Sequence, residues 1–133
     1  MADTVATRTM VDDERRLIIQ LNNTSDGNGE SGVTKVDVSA LQANEAGQAC
    51  GQVRIMQIWA STHLMAVELL WDATTNITAL TIPQDRTIHW DFRHFGGLKN
   101  PETSGYTGDL LLTTIGAASG DRYTIVVDMV KEY

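Results

Sequence analysis

Ala66-Val67-Glu68-Leu69-Leu70-Trp71-Asp72-Ala73 alternates: Val67, Leu69 and Trp71 fall on one side of an extended chain, Glu68 and Asp72 on the other. Successive side chains of a strand point to opposite faces, so this stretch reads as a strand with one face in a core and one in water. The pattern recurs outward in both directions. On the C-terminal side, residues 76–82 read as a strand closed by Pro83, and residues 87–93 place Ile88, Trp90 and Phe92 inward and His89, Asp91 and Arg93 outward. Gly96-Gly97 breaks that run; residues 109–115 form a further strand up to Gly116, and residues 122–131 set Tyr123, Ile125, Val127 and Met129 on one face. On the N-terminal side, residues 52–62 are a long apolar-rich strand, residues 33–38 alternate, and residues 16–23 carry Leu17, Ile19 and Leu21 on one face. No stretch holds a helical period over three turns. About eight strands at this spacing predict an all-β fold, an antiparallel two-sheet β-sandwich that is jelly-roll-like, because two sheets with one apolar face each bury those faces together.

The chain of 133 residues suits one domain, and its 42% apolar share supports a hydrophobic core. Residues 1–15 are polar and without sustained periodicity, and are predicted to be an N-terminal arm; residues 16–133 make the sandwich. The formal net charge is -7, with Lys35, Lys99 and Lys131 the only lysines and the arginines scattered. Neutralising phosphates needs clustered positive charge, so neither nucleic acid nor an anionic membrane is an expected partner. Met1-Ala2-Asp3-Thr4 has no basic or apolar leader, and the apolar runs are too short for a membrane span. A reducing compartment is the expected place of synthesis. The single cysteine, Cys50, has no partner within the chain and no cationic sequence neighbour, and reads as a small buried residue.

Two groups of residues carry metal-ligating chemistry. Asp26, Asn28 and Glu30 place three oxygen-bearing side chains at alternate positions, as calcium loops do. The flanks are strands and the remaining ligands of a calcium loop are missing, so a polar turn is the preferred reading. His89, Asp91 and His94 offer imidazole and carboxylate, but His94 falls at odd spacing, off the face that His89 and Asp91 share. No metal and no other cofactor is expected. No nucleophile elbow, phosphate loop or dinucleotide fingerprint occurs, so the chain is read as a binding protein and not an enzyme. Trp71 and Trp90 sit on apolar faces and are expected in the core, while Trp59 is open between core and surface. The strand 52–62 is apolar on both faces, with Met56, Ile58 and Ala60 alternating with Val53, Ile55 and Trp59. Burial on both sides predicts a covering layer, so Met56, Ile58 and Trp59 are candidates for a subunit interface, with Asp12, Asp13 and Arg15 of the arm as polar contacts.

The closing segment Gly108-Asp109-Leu110-Leu111-Leu112-Thr113-Thr114, with Gly120-Asp121-Arg122-Tyr123-Thr124-Ile125-Val126-Val127, resembles the C-terminal strand pair of small virion structural proteins of tailed bacteriophages. Val36-Asp37-Val38-Ser39-Ala40-Leu41, Leu70-Trp71-Asp72-Ala73-Thr74 and Asp91-Phe92-Arg93-His94-Phe95-Gly96-Gly97-Leu98 extend the similarity over most of the chain from Val33 onwards. The resemblance implies a capsid decoration or cement protein on the outer shell of the virion, made in the host cytoplasm. It implies the major capsid protein as partner and a homo-oligomer, with a trimer favoured. A head–tail connector, a tail component, or a carbohydrate-binding β-sandwich used in host attachment are the alternatives. No catalytic residue is implied.

Overall fold

The computed structural model describes residues 4–25, 27, 29–101, 106–116 and 118–132. Apart from two 3-10 turns at Val38–Ala40 and Arg93–Phe95, the regular elements among them are strands: β1 (Thr4–Asp12), β2 (Arg16–Thr24), β3 (Val33–Val36), β4 (Gln52–His63), β5 (Ala66–Ala73), β6 (Ile77–Ile82), β7 (Thr87–Asp91), β8 (Tyr106–Ile115) and β9 (Arg122–Glu132). They form a five-stranded sheet in the order β1-β2-β9-β4-β7 and a four-stranded sheet in the order β3-β8-β5-β6. Without β1 this is a jelly roll: β2 pairs β9, β3 pairs β8, β4 pairs β7 and β5 pairs β6, all antiparallel, like a long double strand rolled up. The fold class expected from the alternation is therefore the one observed.

The core is where the alternation placed it. Leu17, Ile19 and Leu21 of β2, Val67, Leu69 and Trp71 of β5, and Tyr123, Ile125, Val127 and Met129 of β9 are all buried between the sheets. Burying each large apolar side chain contributes about 1.5–3 kcal/mol, and Val53, Ile55 and Ile58 of β4 and Leu110 and Leu112 of β8 complete the cluster that holds the sheets together. Trp90 also points inward, half-buried against this cluster.

Strand β4 departs from expectation. Val53 and Ile55 face the core, and so do Ile58 and Ala60. The change of parity comes from a bulge: β4 pairs β9 as Ile55↔Met129 and then Gln57↔Asp128, leaving Met56 as the extra residue. The strand looked apolar on both faces because its inward positions shift by one at Met56. Ile58 is fully buried in the core and is no interface residue, whereas Trp59 is 39% exposed on the outer face. Doubly buried β4, and the covering layer it called for, are thereby corrected. The segment after β7 bridges the bulge: the Phe92 amide donates to the Met56 carbonyl, and Leu98 rejoins the sheet opposite Ile55. Gly97, at φ +100, closes this bridge over Met56, whose Sδ is 2.6 Å from where a Cβ on Gly97 would sit.

The N-terminal segment is a second correction. Residues 1–15 were expected as an arm, but β1 pairs β2 along Thr4↔Thr24 to Asp12↔Leu17, so the boundary at residue 15 falls inside a hairpin. Its turn is fixed by Asp13, whose Oδ1 accepts the backbone N–H groups of Arg15 (3.0 Å) and Arg16 (2.7 Å). β1 lies outside the rolled pairs, at the edge of its sheet. Val5, Thr7, Arg8, Thr9 and Met10 are consequently exposed, and no hydrophobic alternation marks the strand. Beneath it, a cleft of about 250 Å³ opens between Thr7, Thr9, Leu17 and Ile19 of β1 and β2 and Lys35 and Val36 of β3, with Leu41 after the first 3-10 turn.

Candidate functional site

The outward positions of the five-stranded sheet line up in rows across four strands. The pairings Gln20↔Val126, Trp59↔Val126 and Trp59↔His89 define a central row over β2, β9, β4 and β7. One step along lie Asn22, Thr124, Ser61 and Thr87; one step the other way lie Ile18, Asp128, Gln57 and Asp91. The face is mostly polar, with Ile18 and Val126 half-buried on it, and at its centre the Trp59 and His89 rings stack with centroids 4.9 Å apart and planes 6° from parallel. A His89 ring nitrogen lies 3.0 Å from Gln57 Oε1, which steadies the stack from the next row.

That next row carries the charge. Both oxygens of Asp128 accept from Arg16 Nη2 at 3.1 Å, and the Asp128 side chain is nearly buried. Asp91 accepts from Arg93 Nε and Nη2, the latter at 2.7 Å, and from the Arg93 backbone N–H at 2.9 Å. The Arg93 side-chain bonds, then its backbone N–H, hold the Asp91 carboxyl far below the usual carboxylate range, and the same pair pushes Arg93 up. Arg16, Met56, Gln57, Arg93, Asp128 and Val130 enclose a surface cavity of about 260 Å³.

The residues singled out in the sequence are dispersed. Asp26 and Asn28 lie outside the described residues. Glu30 is buried: its Oε2 pairs with Lys35 Nζ at 2.5 Å, and its Oε1 accepts from Asn23 Nδ2 and Tyr123 Oη, each at 2.6 Å. Its carboxylate is thus committed inside the fold. His89 is stacked on Trp59, Asp91 is held by Arg93, and His94 sits exposed in the 3-10 turn. Among the described residues, no group of three or more His, Cys, Asp or Glu side chains is placed to hold a metal ion. Asp12 pairs with the buried ammonium of Lys131 and accepts the Gln42 backbone N–H at 3.3 Å, so with Asp13 it serves the hairpin. Arg15 is exposed at the hairpin turn, where its carbonyl accepts the Lys131 backbone N–H at 2.7 Å. Cys50 is buried, its Sγ 3.2 Å from the Gln52 carbonyl, and burial pushes its thiol up.

Arg16, Gln57, Arg93 and Asp128 were missed as a group. They converge only through the β4 bulge and the β9 register, and no local pattern records either.

No protein-family model matches the chain, and no curated protein matches it. Among solved structures, a cupin domain from Bordetella pertussis Tohama I is 8% identical, covering 100% of this chain and 98% of its own, with a TM-score of 0.37. A structure titled "CBM4 structure and function" is 12% identical, covering 96% and 94%, with a TM-score of 0.32. At these TM-scores neither likeness carries an argument, and the fold stands on its own strand order.

Proposed function

We propose that this chain is a non-catalytic structural protein of a tailed-bacteriophage particle, a decoration domain that seats on the outer capsid shell. The observation that carries the binding reading is the outer face of the five-stranded sheet, a broad polar surface with the half-open Trp59 at its centre. An aromatic anchor ringed by polar groups is the usual anatomy of a recognition surface. The setting comes from the sequence resemblance. Its closing two patches fall on β8 and β9, which pair with strands on both sides in their sheets. The major capsid protein is the partner, and several modest contacts on one oligomer act together through high effective concentration. The trimer rests on the resemblance alone, since the bulge in β4 removes the ground that the sequence offered for a covered face.

Purified chain incubated with capsids that lack it, then sedimented and imaged by electron microscopy, tests this reading. Ordered density at symmetry-related outer positions is the expected result. Density confined to the portal or tail reassigns the chain to a connector or tail role, and failure to co-sediment overturns the virion reading.

A further inference from the structure

The geometry points to a glycan subsite on this face: a neutral, hydroxyl-rich sugar chain lies over β4 and β9, stacked on Trp59 and hydrogen-bonded by Gln57 and the Arg16–Asp128 and Arg93–Asp91 pairs.

Trp59 supplies the stacking surface. Neighbouring strands lie about 4.8 Å apart, close to the Trp59–His89 centroid distance of 4.9 Å, so the two rings stand side by side across β4 and β7. His89 covers one indole face. The other turns towards β9, where Val126 opposite it is half-buried and small. A pyranose has an apolar C–H face and a rim of hydroxyls, and an open indole face beside a small apolar residue accepts the first.

The cavity one row along supplies the hydrogen bonds. Gln57 joins the two parts, because it touches His89 and also approaches Asp128 Oδ2 at 3.5 Å. Planar amide, guanidinium and carboxylate groups present donors and acceptors in pairs, which suits vicinal hydroxyls. All are held before a ligand arrives, so little side-chain entropy is lost on binding. Charge selects the ligand class. The two guanidinium groups lining or flanking the cavity are each matched by a carboxylate, so the site has no net charge to attract a polyanion, and the chain as a whole carries -7. Arg16, Gln57, Arg93 and Asp128 in the cavity wall make a lipid tail a poor occupant, because it would cut those groups off from water. An uncharged polyol matches the stacking surface and these paired donors and acceptors.

Full-length protein is titrated with cellohexaose, laminarihexaose and mannohexaose, with a heparin hexasaccharide as the anionic control, by calorimetry and tryptophan fluorescence. Saturable binding of at least one neutral hexasaccharide is expected, with Trp59→Ala weakening it about tenfold and Trp59→Phe retaining most of it. Arg93→Ala, at an exposed side chain, weakens binding without lowering the thermal midpoint appreciably. No binding of any neutral hexasaccharide, a preference for heparin, or unchanged affinity in Trp59→Ala overturns the inference. Capsid co-sedimentation of the unsubstituted protein, run in parallel, tests the virion reading independently of whether any hexasaccharide binds.

Discussion

Replacing Glu30 by Gln tests whether its carboxylate is an internal tie or an open ligand. The side chains of Glu30 and Lys35 are 5% and 3% exposed, and they pair at 2.5 Å. Glu30 Oε1 also takes the Asn23 and Tyr123 bonds, so one carboxylate joins β2, β3 and β9. Removing one partner of a buried pair strands the other charge, which costs about 3–5 kcal/mol. Gln keeps an acceptor oxygen, which places the loss near the lower figure, or about 10 °C in Tm for a domain of this size. Lys35→Met removes the cation and destabilises for the converse reason. The double variant Glu30→Gln/Lys35→Met strands no charge and should lie within about 1–2 kcal/mol of the parent, giving a coupling of about 2 kcal/mol or more. Urea unfolding followed by tryptophan fluorescence measures all four proteins. A double variant whose loss equals the sum of the singles would falsify the internal tie. So would a calcium-dependent rise in the parent's Tm that Glu30→Gln abolishes.

Gly108→Ala should be among the most damaging single substitutions: Gly108 has φ +89, and a Cβ there would lie 2.0 Å from the Gly51 carbonyl oxygen. The strain and the forced backbone shift together exceed about 3 kcal/mol, against about 1 kcal/mol for Gly116→Ala, whose Cβ meets open space; urea midpoints compare the two. Cys50 should react slowly with a chromogenic disulfide in the native state and quickly in denaturant, since burial both shields the thiol and keeps it protonated. Asp91 should stay ionised as pH falls through about 4, where free carboxylates titrate, and Arg93→Ala should return it to that range in an NMR titration of the carboxyl carbon. Because its folded value is depressed, the stability Asp91 contributes is present above the ordinary carboxylate range and is lost as pH falls towards the folded value.

The two-sheet architecture was legible because β2, β5 and β9 each bury one face and wet the other, and a period of two survives such one-sided burial. β1 failed for the opposite reason. It is largely exposed, so its β-branched Val5, Thr7, Thr9 and Val11 stand at alternate positions without the apolar face that marks a half-buried strand. β4 misled because periodicity assumes an unbroken register, and the bulge at Met56 changes the face of every residue after it. The candidate site was half readable. Trp59 stood out as the ambiguous tryptophan, and His89 and Asp91 as outward residues. That Asp91 would be captured by Arg93, and that Arg16 and Asp128 would meet across two strands, depended on pairings made far apart in the chain. Lys35 shows the same limit: it alternates like a surface residue, yet its ammonium is buried against Glu30.

The pairing of β2 with β9 also sets the order in which the protein can be made. Residues 16–24 leave the ribosome early, but their sheet partner is residues 122–132. Until then the β1–β2 hairpin stands alone, and an isolated two-stranded hairpin is at best marginally stable in water. Its apolar row of Leu17, Ile19 and Leu21 waits in the open until residues 122–132 have emerged. The five-stranded sheet therefore closes only once β9 has been made, and folding is expected to be slow, as is general for folds built on distant pairings. Fragments that stop short of residue 122 would leave the Leu17, Ile19 and Leu21 row uncovered and are expected to aggregate.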